Sequence, residues 1–144
     1  MTLAIAAIIC AGLFAGAAIY INAVEHPARL SLGTAIALRE FAPSYRRATV
    51  MQASLAVVGL IAALAAWAQT REVAFLVGGL LLGVVVPFTL LAIRPTNTRL
   101  LSPTLDPNSA EAATLLRRWG QLHAVRSVFS SVAFVILLVS LARM

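Results

Sequence analysis

The residues best suited to chemistry lie in "RRWGQLHAVR", which leads directly into an uncharged apolar run. Trp119, His123 and Arg126 are four and three residues apart, so on a helix they share one face. A guanidinium inside a membrane helix is costly unless it reaches the interface, pairs with another group or lines a wet cavity. Trp119 and Arg126 could both be interfacial residues, but the two arginines before Trp119 already provide that anchoring. The deeper histidine and arginine therefore favour a polar site.

Polar side chains also occur where the other apolar segments meet the same face of the membrane. The first segment ends in "YINAVEHPAR", the second begins in "SYRRATVMQ" and the third ends in "PFTLLAIRPTN". The opposite ends carry few polar groups. This asymmetry predicts a pocket open to the cytoplasm or the inner leaflet. Its expected residues are Asn22, Glu25, His26, Tyr45, Gln52, Asn97, Trp119, His123 and Arg126.

Three kinds of chemistry fit such a pocket. A histidine could remove a proton while Arg126 holds the oxyanion that forms. Alternatively, His26, His123 and either Glu25 or Glu40 could form a metal site of two histidines and one carboxylate, although no two histidines stand one turn apart. In the third alternative, Arg126 and His123 hold the headgroup of a lipid or other hydrophobic ligand without catalysis. No Ser-His-Asp nucleophile motif and no Gly-rich phosphate loop occurs, which argues against nucleotide use.

Structural roles alone would also explain several of these residues. Glu25 could pair with Arg29 four residues later, and Asn97 could shape a turn. Tyr45 could be an interfacial aromatic residue. Only the joint placement of the two histidines with the arginine of the fourth segment favours a chemical site.

Composition identifies the chain as an integral membrane protein. Hydrophobic residues make up 61% of the 144 positions, charged residues 11%, and the mean hydropathy is +0.95. All 11 basic residues are arginine, and no lysine-rich or aromatic-basic stripe points to nucleic acid. The single cysteine, Cys10, cannot form an intramolecular disulfide.

The predicted fold is an all-α membrane four-helix bundle in one domain covering residues 1–144. Each span needs about 20 apolar residues, and the runs do not alternate as barrel strands would. Gly12 with Gly16 and Gly79 with Gly83 predict close helix packing, and Pro87 predicts a kink in the third span. The spans are predicted at approximately 3–24, 48–69, 73–93 and 119–142.

The two loops at the polar end have predicted structure of their own. Residues 31–41 have helical apolar spacing and predict a short interfacial helix that stops before Pro43, with Ser44 capping the second span. Asn108 followed by Glu111 is an N-cap signature for the last helix.

Arginine placement predicts the orientation. By the positive-inside rule both long loops are cytoplasmic and both termini are outside, in a bacterial inner membrane. The loop between the first two spans carries Arg29, Arg39, Arg46 and Arg47, the loop between the last two carries Arg94, Arg99, Arg117 and Arg118, and the opposite side has Arg71 and Arg143.

In their order along the chain, "EHPAR", "SYRR", "PFTLLAIRPTN" and "RRWGQLHAVR" resemble the anthrone-oxygenase-like family, small four-helix membrane proteins mostly of unknown function. The resemblance covers essentially the whole chain, and the last two motifs are the most specific. Named members oxidise anthrones, which are reduced tricyclic polyketides, to anthraquinones with dioxygen. The matching positions are Pro95, Asn97, Trp119, His123 and Arg126, with Glu25, His26 and Pro27 matching the bacterial members most clearly.

The resemblance implies a monooxygenase for a flat phenolic or polycyclic substrate, working without an organic cofactor. His123 or His26 would remove the acidic proton, Arg126 and Asn97 would stabilise the enolate, and Trp119 would stack on the rings. The carbanion would then reduce dioxygen directly. The expected partners are the bilayer and a hydrophobic small molecule or lipid, and a homo-oligomer stays open. The alternatives are a non-enzymatic ligand-binding membrane protein and a metal-dependent oxidoreductase.

Overall fold

The computed structural model describes residues 1–141 and Arg143, and these contain helices but no strand. Residue 142, where the fourth predicted span ends, lies outside the described residues. The α-helices are α1 (Thr2–Tyr20), α2 (His26–Ser31), α3 (Thr34–Thr70), α4 (Val73–Gly83), α5 (Val85–Phe88), α6 (Arg94–Leu100) and α7 (Ala110–Leu141). Single π-helical turns, Ile21–Glu25 and Thr89–Ile93, join α1 to α2 and α5 to α6.

Four helical segments are long and apolar enough to cross a membrane: Thr2–Ser31, Thr34–Thr70, Val73–Leu100 and Ala110–Leu141. The predicted all-α fold with four such helices is confirmed. Each segment packs against the next in chain order, and the fourth packs against the first. The segments exceed the predicted spans because their polar ends are also helical. The 37 residues of α3 reach about 55 Å, well beyond the hydrocarbon.

The helix predicted after the first span forms, but it is not a separate element. We expected it to stop before Pro43, and this boundary was wrong: α3 begins at Thr34 and continues through Pro43. Proline removes one backbone bond, and buried packing on that turn, including Phe41 at 0% exposure, compensates for the loss. The chain breaks instead at Gly33, whose φ of +90° is one that other residues rarely adopt.

The third segment is interrupted near Pro87, as predicted. Pro87 has no N–H to offer the carbonyl of Gly83, and α4 ends at that residue. Val84 forms a turn, and the chain then continues as α5 and a π-helical turn. The Thr89 hydroxyl donates to the Val85 carbonyl oxygen at 2.6 Å. The third segment therefore changes its backbone geometry halfway along.

Glycines set how closely the helices approach. A Cβ at Gly79 would lie 2.7 Å from the Cβ of Ala63, so the predicted close packing of the third segment on α3 is present. In the first segment Gly12 allows a close helix contact, but Gly16 does not, because nothing lies within 4 Å of a Cβ at Gly16. Most close glycine contacts lie in the half of the bundle away from the arginine-rich end, and Gly120 makes one at that end. The arginine-rich end comprises α2, α6 and the first turns of α3 and α7.

The loop before α7 is fixed by different residues from those expected. Ser109, not Asn108, caps the helix, because its Oγ accepts a hydrogen bond from the backbone N–H of Ala112 at 3.1 Å. Glu111 does not complete a capping box. It accepts two hydrogen bonds from the Arg99 guanidinium, at 2.6 Å and 2.9 Å, and so ties the end of the third segment to α7.

Candidate functional site

Arg126 lies inside the bundle and is held by a neutral partner. Its Nη2 donates to the Gln52 Oε1 at 2.7 Å, and its guanidinium carbon lies 5.4 Å from the centroid of the Phe14 ring. Nε of Arg126 has no hydrogen-bond partner, and none of the ion pairs formed by the described residues includes this side chain. The arrangement differs from an arginine extended to lipid phosphate. Its positive charge is therefore available to an anionic ligand.

His123 lies one turn before Arg126 on α7 and is buried, with 1% of its surface exposed. Its ring contacts the Trp119 ring edge-on at 4.8 Å between centroids. The Nδ1 atom of His123 has no hydrogen-bond partner among the described residues. An imidazole in this position has a ring nitrogen that could accept a proton or a hydrogen bond.

Trp119 is the centre of an aromatic cluster. Ring centroids lie 5.2 Å away for His26 and 5.3 Å away for Phe41, in addition to the contact with His123. The Arg29 guanidinium carbon is 5.9 Å from the Trp119 ring centroid. Because Trp119 is only 6% exposed, most of its surface is committed to packing.

His26 lies on the far side of Trp119, against a glycine of α7. A Cβ on Gly120 would come within 2.7 Å of the Cδ2 and Nε2 atoms of His26, so the ring occupies the space that a side chain would need. Asn22 fixes the same junction: its Nδ2 donates to the Gly120 carbonyl oxygen at 3.0 Å, and its Oδ1 accepts from the Ser127 hydroxyl at 2.7 Å. Both residues therefore join the first segment to α7.

Glu25 belongs to a charged network that the sequence indicated only through its spacing from Arg29. Arg29 is 4% exposed and forms ion pairs with both Glu25 and Glu40. The Ser44 hydroxyl donates to Glu25 Oε1 at 2.6 Å and accepts from Arg29 at 3.2 Å. The network connects α2 to the start of α3.

Two adjoining spaces lie around Arg126. The first, the polar chamber, has a volume of about 20 Å³ and is lined by Ile21, Arg29, Phe41, Ser44, Tyr45, Ala48, Thr49, Gln52, Trp119, His123 and Arg126. The second, the main cavity, has a volume of about 210 Å³ and is lined by Phe14, Tyr45, Thr49, Gln52, Ala53, Ala56, Val85, Val86, Thr89, Leu90, Arg94, Asn97 and Arg126. Tyr45, Thr49, Gln52 and Arg126 line both, so they form the boundary between the two spaces.

The structure thus divides the predicted site residues into two groups. Tyr45, Gln52, Asn97, Trp119, His123 and Arg126 line the chamber, the main cavity or both. Asn22, Glu25 and His26 line neither. Asn97 is 3% exposed, and its Oδ1 atom has no partner among the described residues.

Sequence reasoning missed several lining residues because their types carry no chemical signal. Phe14, Thr49 and Ala53 are ordinary membrane-helix residues, and only helix packing brings them to the cavity. Arg29 did carry a signal, its spacing from Glu25, but that spacing predicted an ion pair and not a position beside Trp119.

The predicted metal set is not brought together. The described residues contain no group of three or more His, Cys, Asp or Glu side chains that could hold a metal ion. The Trp119 ring contacts both His26 and His123, and Glu25 is engaged by Arg29 and Ser44. Side-chain orientation therefore separates His26, His123 and Glu25 although they lie at the same end of the bundle, and a metal site formed by them stays a prediction.

Comparisons with known proteins place this geometry in a family context. The sequence model of a family described as anthrone oxygenase matches residues 41–136. Anthrone oxygenase tpcL of Aspergillus fumigatus is 51% identical over 47 residues, which are 31% of this chain and 29% of that protein. The match thus spans less than a third of the relative's length. No solved structure matches the chain. The family match includes Gln52, Asn97, His123 and Arg126 but not the first membrane segment.

Proposed function

Because the chain belongs to the anthrone oxygenase family, we propose that it is a membrane-embedded oxygenase that converts an anthrone-like polycyclic phenol to the corresponding quinone. Membrane placement follows from the four apolar helices. The proposed substrate class is in keeping with the name of the Aspergillus relative. The single observation that carries the proposal is Arg126, a half-buried arginine with a neutral partner at the wall of a mostly apolar cavity.

The overall reaction balances without an external reductant. A ring methylene group and dioxygen give a carbonyl group and one water, so one oxygen atom enters the product and the other leaves as water. The methylene carbon loses four electrons and dioxygen gains four. The protons removed from carbon are those found in the water, so the net reaction neither consumes nor releases protons.

His123 is the proposed base. It faces the polar chamber, whose volume of about 20 Å³ accommodates about one water molecule. A base can act through one water, so the first methylene proton would pass through the chamber to the imidazole. The chamber adjoins the main cavity at Arg126, where the enolate oxygen would form.

Arg126 and the Asn97 side chain would stabilise that enolate. Preorganised donors in a site that excludes water stabilise a developing negative charge far better than water does. The enolate carbon then transfers electrons to dioxygen and forms a carbon–oxygen bond. The resulting peroxide takes a proton from the imidazolium. Loss of the second methylene proton with cleavage of the O–O bond gives the carbonyl and water.

We propose that this chemistry needs neither an organic cofactor nor a metal, since the carbanion itself is the reductant. Metal analysis of the purified, active protein tests the same point: a metal present at one equivalent per chain, whose removal abolishes turnover, would contradict it.

Turnover of an anthrone by protein in nanodiscs tests the function, with a protein-free control for spontaneous oxidation. With ¹⁸O₂, one labelled atom is expected in the quinone and one in water. His123→Ala should lower kcat by about 10² or more. His26→Ala should fold less stably but keep the pH profile of the wild type. Unchanged turnover in His123→Ala would show that this histidine is not the base.

A non-enzymatic role in lipid binding is the second candidate, and one observation favours it. An outer groove of about 310 Å³ lies between the first segment and α3, with Tyr20, Arg47 and Met51 among its lining residues. An arginine beside an apolar groove is suited to a lipid phosphate. A protein that copurifies with stoichiometric lipid but oxidises no anthrone would favour this candidate.

A further inference from the structure

We infer that the main cavity is filled from the bilayer, through a lateral opening between α3 and the third segment, and that Ala53 sets the width of that opening. This inference rests on the proposed function, because it names the route of the same polycyclic substrate. It adds an entrance and a residue that controls access, neither of which is part of the catalytic machinery described above.

The position of the main cavity supports a lateral route. All but two of its lining residues come from α3 and from the third segment, whereas Phe14 and Arg126 form its inner wall. The cavity is partly open. Four lining residues are exposed on the outside of the bundle: Thr49 and Ala53 on α3, Leu90 on the π-helical turn with 56% of its surface accessible, and Arg94 at the start of α6.

Helix packing explains why an opening exists there. At the other half of the bundle the two segments touch closely, since a Cβ on Gly79 would lie 2.7 Å from Ala63 and one on Gly83 would lie 2.8 Å from Leu60. This close approach ends where Pro87 interrupts the helix. Beyond it, α3 has few neighbours in the π-helical turn or α6, and the main cavity occupies the gap.

The chemistry of the opening favours an apolar molecule dissolved in lipid. Ala53, Val86 and Leu90 present aliphatic groups where the cavity meets the membrane, and the exposed polar lining residues, Thr49 and Arg94, lie towards the arginine-rich end. The alternative route, through the polar chamber, is too small: about 20 Å³ holds about one water, whereas an engineered cavity that binds benzene measures about 150 Å³. A polycyclic substrate would therefore reach Arg126 through the opening of the main cavity.

Two matched substitutions on α3 test the route. Ala53→Phe narrows the opening, and Ser54→Phe places the same ring on the next residue, which is exposed but lines none of the three spaces described above. In nanodiscs, Ala53→Phe should lower kcat/KM for an anthrone at least about tenfold, and Ser54→Phe should change it less than about twofold. Equal activities of the two variants would overturn the lateral route.

A second readout does not need turnover. In a Trp67→Phe background Trp119 is the remaining tryptophan, and saturable quenching of its fluorescence by an anthraquinone reports binding next to the chamber. Ala53→Phe should slow association at least about tenfold relative to Ser54→Phe. If no variant oxidises an anthrone but the association rates still differ, the lateral route is supported and the proposed function is contradicted. If the wild type oxidises an anthrone and the two variants bind the anthraquinone equally fast, only the lateral route is contradicted.

Discussion

Gln52 determines what Arg126 can do. A cation withdrawn from water usually has a carboxylate partner, which would neutralise its charge, but the half-buried Arg126 is paired with an amide oxygen at 2.7 Å. The amide holds the guanidinium in place and leaves its charge uncompensated. Because an uncompensated charge away from water is costly, an anion that forms beside it during a reaction is strongly stabilised.

Gln52→Glu tests this role with almost no change in side-chain volume. The new carboxylate would pair with Arg126 and compete with an enolate, so kcat should fall by about 10², the usual cost of losing an oxyanion donor. Gln69→Glu, an exposed position near the other end of α3, should have wild-type turnover. Turnover by Gln52→Glu equal to that of Gln69→Glu would show that the free charge of Arg126 is not used.

Gly120 should tolerate no side chain, because the His26 ring fills the space. Gly120→Ala is expected to lower the free energy of unfolding by about 1–3 kcal/mol through overpacking. Gly16→Ala is the control, since nothing lies within 4 Å of its Cβ and alanine is the better helix former. Unfolding in mixed micelles containing SDS measures both. Equal stabilities would mean that His26 has room to move.

At the scale of the elements, polar contacts join the first segment to α7 beside the close contact of Gly120 with His26. Asn22 contributes both of its amide atoms, one to a backbone carbonyl and one to a hydroxyl of α7. Inside a membrane such bonds average about 0.6 kcal/mol each. They therefore align the two helices more than they stabilise the fold.

Asn22→Leu removes both bonds and should lower the free energy of unfolding by about 1 kcal/mol. Ser127→Ala removes one of them and should cost about half as much. Ser54→Ala serves as the control, because the Ser54 hydroxyl bonds only to the carbonyl of Val50 in its own helix. The same unfolding assay measures these variants. If Ser127→Ala lowered the free energy of unfolding as much as Asn22→Leu does, the two hydrogen bonds of Asn22 would not contribute additively.

Replacing Pro87 should change kcat/KM, whereas replacing Pro43 should not. Pro87→Ala restores the missing backbone bond at the interruption, so the third segment should straighten, the opening beside α3 should narrow and kcat/KM should fall several-fold. Pro43→Ala lies in a helix that already continues through the proline, so it should raise stability and leave kcat/KM unchanged. Steady-state kinetics of both variants measures the difference. If kcat/KM fell with Pro43→Ala and did not fall with Pro87→Ala, Pro87 would not be the proline that keeps the opening wide.

For the whole molecule, four crossings would place both ends of this chain on one side of the membrane. The concentration of arginines at the other side, including Arg46, Arg47, Arg117 and Arg118, predicts that side to be cytoplasmic. The main cavity and the chamber would then lie in the cytoplasmic half of the bilayer.

Reporter fusions at each end of this chain test the orientation. Alkaline phosphatase, which is active only outside the cytoplasm, should be active at both ends, and green fluorescent protein should be dark at both when exported through the Sec pathway. Fluorescence at both ends would invert the orientation. Activity at one end and fluorescence at the other would mean that one segment does not cross.

The sequence alone determined the membrane class, the four helices and the stripe of Trp119, His123 and Arg126. These features are local: hydropathy needs a window of about 20 residues, and spacings of three and four fix a helical face. The interruption near Pro87 was predictable for the same reason, since proline removes a bond within its own turn.

Only the tertiary structure decided which groups meet. Gln52 and Arg126 are 74 residues apart, and their contact depends on how α3 and α7 are rotated about their axes. That rotation is set by close packing at positions such as Gly79 and Gly120, which turns His26 behind Trp119 and away from both cavities. A sequence locates a polar side chain along the membrane normal, but its direction around the helix axis relative to other helices is a property of packing.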